Sequence, residues 1–228
     1  MSSATLPSKY SFALFDLDGT LADTLPLIYL AFNDAVQPVL KRPLPDQEIR
    51  AMFGPPDTAI LRSIVPENQA EEAISRYMER YRREHAKYVT LFDGIKDVFE
   101  DAASVGMKLA VVTGKSRVTA LFTLEHLGVL ECFEAIYGGD DFEHQKPDPE
   151  ALIAAKADLG VASDESGVMV GDSAADVLAG KAAGLATIGV LWGNPDYDEL
   201  KSSEPDVLCA TMSELRVALG LEREPGVE

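Results

Sequence analysis

The chain has 228 residues, of which 46% are hydrophobic, so it can bury one sizeable core and is not mainly disordered. Its 38 acidic side chains outnumber its 20 basic ones and give a formal net charge of -18, which repels phosphate backbones and anionic lipid surfaces. Nucleic-acid and membrane partners are therefore disfavoured.

Short apolar runs alternate with helical segments along most of the chain. The runs are FALF at 12–15, KLAVV at 108–112, EAIYG at 134–138, GVMV at 167–170 and ATIGVL at 186–191. Continuous apolar runs of this kind are typical of parallel strands that are buried on both faces. Helices are predicted at 94–105, 116–127, 149–159, 174–183 and 212–219. The alternation predicts a doubly wound, Rossmann-like α/β core with a parallel sheet.

One segment interrupts this alternation after the first strand. Residues 24–90 contain helical patterns and joints rich in proline and glycine, such as PLPD and FGPPD, but no convincing strand. We therefore predict an inserted, all-helical cap domain. The expected division is a core of residues 1–22 and 92–228 and a cap of residues 23–91.

Polar side chains follow the predicted strands at the points where the strands end. They are, in chain order, Asp16 and Asp18, then Thr113-Gly114-Lys115, then Lys146, and then Asp172 with Asp176 beyond it. Ligands of open α/β sheets bind beyond the carboxyl ends of the strands, so these groups are expected to meet on one rim.

The chemistry of that rim indicates a metal and a phosphate. The carboxylates of Asp16, Asp18 and Asp172 would repel one another unless a hard cation joined them, and oxygen donors without His or Cys suit Mg²⁺. The hydroxyl of Thr113 and the ammonium group of Lys146 could hold phosphoryl oxygens. The pattern therefore favours phosphoryl transfer with Mg²⁺ as cofactor.

Four segments, DLDGTLADT, VVTGK, KPDPE and GDSAAD, resemble in this order the motifs of the haloacid dehalogenase-like (HAD) hydrolase superfamily. The insertion resembles the small helical cap that this superfamily carries after its first motif. The resemblance implies that Asp16 is a nucleophile that accepts the phosphoryl group as an aspartyl phosphate. It also implies that Asp18 protonates the leaving oxygen, activates the hydrolytic water and binds the metal through its backbone carbonyl.

The remaining motif residues receive roles from the same resemblance. Thr113 and Lys146 would bind the phosphoryl oxygens, Asp172 would complete the Mg²⁺ shell, and Asp176 would order the metal's waters. Simpler explanations exist for single residues, because a D-x-D-G turn explains Asp16 and Asp18 alone and a helix N-terminus explains Asp172 or Asp176. The four motifs together favour the functional interpretation.

The substrate class rests on weaker signals. Asp18 argues against a dehalogenase, and the overall likeness to phosphoglycolate phosphatase-like enzymes makes 2-phosphoglycolate our substrate hypothesis within a class of small phosphate esters. Pyrophosphatase and β-phosphoglucomutase-like sugar phosphomutase are the enzymatic alternatives, and a phosphate-binding protein without turnover is the non-enzymatic one.

The cap segment MFGPPDT resembles a loop that reaches toward the active site in the same superfamily. We expect Gly54 from this loop, together with Gly114, to contact substrate. A carboxylate on the substrate would need a cation, and the candidates are Arg50, Arg62, Lys115 and Arg117. Of these, Arg50 and Lys115 are our predicted substrate-binding residues.

The remaining signals concern compartment and assembly. Cys132 and Cys209 are far apart and in no metal-ligand spacing, which disfavours disulfides and structural zinc. The N-terminus lacks a signal-peptide pattern and no window approaches the roughly 18 apolar residues of a membrane span. We expect a cytoplasmic monomer or homodimer. The three histidines are expected to be structural or to face solvent, and Trp192 is expected to pack in the core or at an edge.

Overall fold

The computed structural model describes residues 9–162, 164–193 and 197–221. In these residues the strands are, in chain order, β1 (Phe12–Phe15), β2 (Ala22–Asp23), β3 (Thr90–Leu91), β4 (Lys108–Val112), β5 (Ala135–Tyr137), β6 (Gly167–Gly171), β7 (Ala186–Val190) and β8 (Val207–Cys209). The α-helices are α1 (Leu25–Leu40), α2 (Asp46–Arg50), α3 (Asp57–Ile64), α4 (Glu67–Tyr88), α5 (Ile95–Ser104), α6 (Arg117–His126), α7 (Glu150–Asp158), α8 (Ala174–Ala182), α9 (Tyr197–Ser202) and α10 (Met212–Leu219).

The main sheet confirms the predicted doubly wound α/β fold. Its six strands are all parallel and lie in the order β5-β4-β1-β6-β7-β8. The chain first builds outward from β1 through β4 to β5, and then crosses back to place β6, β7 and β8 on the other side. The direction of winding therefore reverses between β1 and β6, which is where ligands bind in folds of this type.

Strand β1 occupies the centre of the sheet because it can be buried on both faces. Its register pairs Phe12 with Lys108 on one side and with Gly167 on the other. Phe12 and Leu14 pack in the apolar cluster of one face, whereas Ala13 and Phe15 pack in the larger cluster of the other. All four side chains are 0% exposed, which explains why the sequence runs FALF without alternation.

The predicted strands and helices of the core agree with the structure to within one residue at each end. Strand β8 and helix α9 were not predicted. Among the described residues, no helix combines the length and the hydropathy that crossing a lipid bilayer requires.

Helices α1 to α4, which we call the cap, lie between β2 and β3. These two short strands pair antiparallel with each other, Ala22 opposite Leu91 and Asp23 opposite Thr90. Within the cap, α1 packs against α4, and the rings of Phe32 and Tyr77 meet edge to face with centroids 5.1 Å apart. The helical character of this segment matches the prediction, whereas the proposed domain boundaries at 22/23 and 91/92 stay a prediction.

Candidate active site

A cavity of about 570 Å³ opens between the carboxyl ends of the core strands and the cap. This volume is in the range of small-molecule sites. The predicted residues that line it are Asp16, Asp18, Arg50, Gly54, Thr113, Gly114, Lys115, Lys146 and Asp172. Arg62 and Arg117 are not among its lining residues, and they form exposed ion pairs with Glu71 and Asp141 instead.

Lys146 connects three parts of the core at the bottom of the cavity. Its Nζ donates hydrogen bonds to Oδ1 of Asp16 at 3.0 Å, to Oδ1 of Asp176 at 2.5 Å and to the carbonyl oxygen of Val112 at 2.9 Å. Burial lowers the pKa of this lysine, but the carboxylates of Asp16 and Asp176 outweigh burial and raise it. Lys146 therefore stays charged in the buried site.

A buried acidic trio lies around this lysine. Asp16, Asp172 and Asp176 each offer a carboxylate oxygen within 4.8 Å of the others. Burial raises the pKa of Asp16 to about 6, Lys146 opposes the rise, and Asp176 and Asp18 add to it. Burial first, and then the charges of Asp16 and Asp176, raise the pKa of Asp172 well above its usual value. The trio is thus a site of strong negative potential that one lysine only partly neutralises.

Local turn geometry places Asp172 beside the first motif. Gly19 has φ of 82°, and a Cβ at this position would lie 2.5 Å from Oδ2 of Asp172. The hydroxyl of Thr20 donates to Oδ1 of Asp172 at 3.0 Å. Glycine is required here for both its backbone conformation and its lack of a side chain, so the loop after β1 can close against the loop after β6.

Asp176 both caps a helix and belongs to the acidic trio. Ser173 and Asp176 form a capping box at the start of α8, with Oδ2 of Asp176 accepting from the backbone N–H of Ser173 at 3.0 Å. Its other oxygen, Oδ1, accepts from Lys146. The helix N-terminus therefore fixes the carboxylate that also belongs to the acidic trio.

The carboxylate of Asp18 points to a different set of partners from that of Asp16. Its Oδ1 accepts from the hydroxyl of Thr24 at 2.6 Å, and its two oxygens lie 3.1 and 3.2 Å from Nζ of Lys115. Lys115 is 5% exposed and its Nζ also lies 4.8 Å from the centroid of the Tyr81 ring in the cap. Lys115, predicted from the sequence as a substrate contact, is thus already paired with Asp18.

The cap loop lies directly over the loop after β4. A Cβ added to Gly114 would come 3.3 Å from the carbonyl oxygen of Gly54, and one added to Gly139 would come 3.1 Å from Cγ of Pro56. Arg50 is half-buried on the same side of the cavity, and the described residues include no carboxylate in an ion pair with it. Gly54, Gly114 and Arg50 therefore all line the cavity, and their contact with a substrate stays a prediction.

Two buried polar residues of the cap line the cavity although the sequence did not single them out. Asp57 is 7% exposed and Tyr77 is 0% exposed. Asp57 begins a helix, where an acidic residue is ordinarily explained by the helix dipole, and Tyr77 lies in a charged helix whose pattern predicts only an apolar face. Only the folding of the cap over the core reveals that they face the cavity.

The histidines and Trp192 are outside the lining of this cavity. His85 is 2% exposed, and its ring meets those of Tyr81 and Phe122 at centroid distances of 5.6 and 5.2 Å. Trp192 donates from Nε1 to the carbonyl oxygen of Thr20 at 3.0 Å. Their contacts agree with the structural roles expected for them.

The donor set fits a hard divalent cation. The described residues around the trio supply carboxylate oxygens, without cysteine or histidine, and the trio lies between the ends of β1 and β6. Oxygen donors and a mutually repelling buried set suit Mg²⁺ better than zinc or copper. Asp16, Asp172 and Asp176 could hold such an ion, whereas the carboxylate of Asp18 is turned toward Lys115.

The sequence of residues 13–190 matches the profile of the haloacid dehalogenase-like hydrolase family. Pyrophosphatase PpaX of Halalkalibacterium halodurans is 34% identical over 209 residues, which cover 92% of this chain and 96% of that protein. Probable phosphatase IndB of Dickeya dadantii is 36% identical over 209 residues, which cover 89% of this chain and 90% of that protein.

Solved structures share the same fold. A structure described as a predicted phosphoglycolate phosphatase from Haemophilus somnus superposes with a TM-score of 0.80 at 23% identity, covering 92% of this chain and 98% of that one. CbbY from Rhodobacter sphaeroides in complex with phosphate superposes with a TM-score of 0.76 at 25% identity, covering 90% and 96%. The family match over residues 13–190 and the relatives that cover nearly the whole chain lead to one conclusion: the chain belongs to the haloacid dehalogenase-like hydrolases.

Proposed function

We propose that the protein is a Mg²⁺-dependent phosphatase that hydrolyses a small-molecule phosphate monoester through an aspartyl phosphate on Asp16. The observation that carries this proposal is the contact of Lys146 with Asp16 and Asp176 inside an acidic trio at the topological switch point. The proposed nucleophile, a cation that could bind phosphoryl oxygens and carboxylates that could hold a metal thereby lie together beyond the carboxyl ends of β1 and β6.

The first half of the reaction transfers the phosphoryl group to the protein. A carboxylate oxygen of Asp16 attacks phosphorus, and the bond from phosphorus to the leaving oxygen breaks. Asp18, which must be protonated at this stage, supplies the proton that this oxygen needs to depart as an alcohol. With a pKa of about 6, Asp16 is mostly ionised at neutral pH and can act as the nucleophile.

The second half releases phosphate by hydrolysis of the acyl phosphate. Asp18, now a carboxylate, takes a proton from water as the water oxygen attacks phosphorus, and the bond between phosphorus and Asp16 breaks. Inorganic phosphate leaves, and Asp16 and Asp18 return to their starting states. The hydroxyl of Thr113 and the ammonium group of Lys146 hold the phosphoryl oxygens in both halves.

Bound Mg²⁺ would neutralise charge on the phosphoryl oxygens and orient them for in-line attack. Asp16 and Asp172 would hold it, Asp176 would order its waters or join its ligands, and the backbone carbonyl of Asp18 would complete the shell. The cap excludes bulk water from the reacting group, which protects an acyl phosphate from premature hydrolysis.

The test compares wild type with Asp16→Asn, which removes the charge of the nucleophile and keeps its size. Both proteins are incubated with 2-phosphoglycolate, pyrophosphate, nucleotides and hexose phosphates, with Mg²⁺ and with a chelator, and released phosphate is measured. Release that requires both Asp16 and Mg²⁺ supports the proposal. Equal release from Asp16→Asn overturns the assigned nucleophile, and no release from wild type favours the mutase or the binding protein.

Pyrophosphate is the second candidate substrate. Relatives named pyrophosphatase are 33% and 34% identical to this chain over nearly its whole length. In the same panel, faster hydrolysis of pyrophosphate than of every phosphate monoester would favour this candidate over 2-phosphoglycolate and other monoesters.

A further inference from the structure

Lys115 is a buried cation to which neither half of the proposed reaction gives a role. It lies in the loop after β4, and its side chain is only 2% exposed. Its Nζ lies 3.1 and 3.2 Å from the two carboxylate oxygens of Asp18. Burial lowers the pKa of Lys115, but nearby negative charges, that of Asp18 first, outweigh burial and raise it. The ammonium group is therefore charged, and it is paired with the proposed acid and base.

The contact with Lys115 restrains the Asp18 carboxylate as a whole. Because Nζ is nearly equidistant from the two oxygens, a rotation of the carboxylate that favours one oxygen weakens the contact with the other. The hydroxyl of Thr24, by contrast, donates to Oδ1 alone, at 2.6 Å. The Asp18 side chain is itself 19% exposed, so packing alone does not fix its direction. Lys115 is thus the group that sets the plane of this carboxylate.

The cap holds Lys115 from the other side. Nζ of Lys115 lies 4.8 Å from the centroid of the Tyr81 ring, which belongs to α4 and is 0% exposed. The hydroxyls of Tyr81 and Thr123 are 2.9 Å apart in a buried hydrogen bond, and Thr123 belongs to α6 of the core. The ring is therefore fixed against the core, and the lysine lies between this ring and the carboxylate of Asp18.

We propose that Lys115 is a positioning residue that orients Asp18 for both proton transfers, and that Tyr81 of the cap keeps Lys115 in place. The inference rests on the proposed phosphatase function and deepens it. An acid or base must lie within hydrogen-bond reach of the atom that it serves, and a small displacement lowers the rate strongly. A lysine side chain has four flexible carbons, so it needs a rigid neighbour such as a buried ring to act as a fixed support. This role differs from the substrate contact that the sequence predicted for Lys115.

Two esters of similar shape separate the roles of Asp18. Benzyl phosphate loses an alkoxide, which departs only as its oxygen takes up a proton, whereas 4-nitrophenyl phosphate loses a phenolate that is stable without one. In the first half of the reaction, therefore, only the benzyl ester needs Asp18 as an acid. In the second half both esters give the same aspartyl phosphate on Asp16, and its hydrolysis needs Asp18 as a base.

The experiment measures both esters with Mg²⁺ for wild type and for Lys115→Met, which removes the ammonium group and keeps the length of the side chain. We expect kcat/KM for benzyl phosphate to fall about ten-fold or more, and kcat/KM for 4-nitrophenyl phosphate to change little. Hydrolysis of the intermediate should slow, so kcat should fall for both esters and KM for 4-nitrophenyl phosphate should fall with it. Nitrophenolate should then appear in a burst equivalent to the enzyme present.

Further variants separate positioning from a structural role. Asp18→Asn should show the same pattern more strongly, and Lys115→Met/Asp18→Asn should match Asp18→Asn, because Lys115 acts through that carboxylate. Tyr81→Leu should show the pattern of Lys115→Met in weaker form, and it carries the comparison of the two esters if Lys115→Met does not fold. The controls are Lys201→Met, on the exposed face of α9, and Tyr88→Leu, half-buried on the same helix as Tyr81. Neither control should change the ratio of kcat/KM between the esters.

Several outcomes would overturn the positioning role. They are an equal fall of kcat/KM on the two esters, a higher KM with kcat unchanged, which assigns Lys115 to substrate binding, and additive losses in the double variant. If wild type releases phosphate from none of the esters, the proposed function fails by itself. Crystal structures of wild type and Lys115→Met then decide the positioning role: a displaced Asp18 carboxylate supports it, and an unchanged one overturns it.

Discussion

Nζ of Lys146 lies 3.0 Å from Oδ1 of Asp16, and the two side chains are only 9% and 12% exposed. The same nitrogen contacts Asp176 in the first turn of α8, so a single cation pairs with two carboxylates that are distant in sequence. This arrangement makes the lysine a structural element of the core as well as a proposed ligand of phosphoryl oxygens.

Lys146→Met should therefore reduce both stability and activity. The substitution leaves Asp16 and Asp176 buried without their cation, and removing one partner of a buried ion pair costs roughly 3 kcal/mol or more. We expect the free energy of unfolding in urea to fall by about that amount, and phosphate release to fall to background. Lys201→Met, on the exposed face of α9, is the control. Unchanged stability of Lys146→Met would contradict the role given to this contact.

Asp172→Asn should separate the repulsion within the trio from metal binding. The substitution removes one of three repelling carboxylates and keeps an oxygen that accepts from Thr20, so thermal stability in chelator should rise. Mg²⁺ at one hundred times its Kd would stabilise wild type by about 2.7 kcal/mol, and the variant should lose most of this gain.

Melting temperatures with Mg²⁺ and with chelator measure both effects. Asp198→Asn on α9 removes an acidic side chain of the same size outside the cavity and should behave as wild type. An Asp172→Asn protein that Mg²⁺ stabilises as strongly as wild type would place the ion elsewhere.

His85 should make the protein less stable in mild acid. Burial lowers the pKa of His85 to about 4 from 6.5, and the neighbouring His126 and Lys115 add to the effect. Because its pKa is lower in the folded state, the unfolded chain binds the proton first, and stability is lost as pH falls from 6.5 toward 4. Below that range the loss is complete.

The measurement compares urea midpoints of wild type and His85→Phe at pH values across this interval. Phenylalanine keeps the ring packing against Tyr81 and Phe122 and cannot be protonated. We expect a shallower decline for His85→Phe, whereas His144→Gln, which alters an exposed histidine, should follow wild type. Parallel curves for wild type and His85→Phe would refute the prediction.

Gly19→Ala should weaken the site through Asp172. Its φ of 82° disfavours a side chain, and the new Cβ would lie 2.5 Å from Oδ2 of Asp172. Gly160→Ala is a matched control, because Gly160 has φ of 60° and no atom within 4 Å of the added Cβ. Both variants should lose about 1 to 2 kcal/mol from backbone strain. Only Gly19→Ala should also lose stabilisation by Mg²⁺, as measured by thermal unfolding. Equal stabilisation of the two variants by Mg²⁺ would contradict the predicted effect of residue 19 on Asp172.

The central strands could be predicted because burial on both faces leaves an unbroken apolar run. Strand β8 lies at the edge of the sheet and has a half-buried, an exposed and a buried residue in its three positions, so VLC carries no such signal. Strands β2 and β3 have two residues each, too few for any periodicity. Their pairing depends on the cap helices that lie between them.

The residues of the site also fall into some that the sequence could predict and some that it could not. Asp16, Thr113 and Asp172 could be placed together because each follows a strand whose carboxyl end faces the same rim. Asp57 and Tyr77 could not, since helix packing, and not a motif, turns them toward the cavity. The ion pair of Asp18 with Lys115 could not be predicted either. The two residues follow different strands, and nothing in a single sequence indicates that they are in contact.

The antiparallel pair of β2 and β3 has a consequence for the modularity of the chain. Because Ala22 lies opposite Leu91 and Asp23 opposite Thr90, the polypeptide leaves the core and returns to it at adjacent points. The helices between these points can differ in length or arrangement without changing the register of β1 with β4 and β6. The proposed phosphoryl chemistry of the core and any selection of the leaving group by the cap would thus be encoded in segments that can change independently of each other.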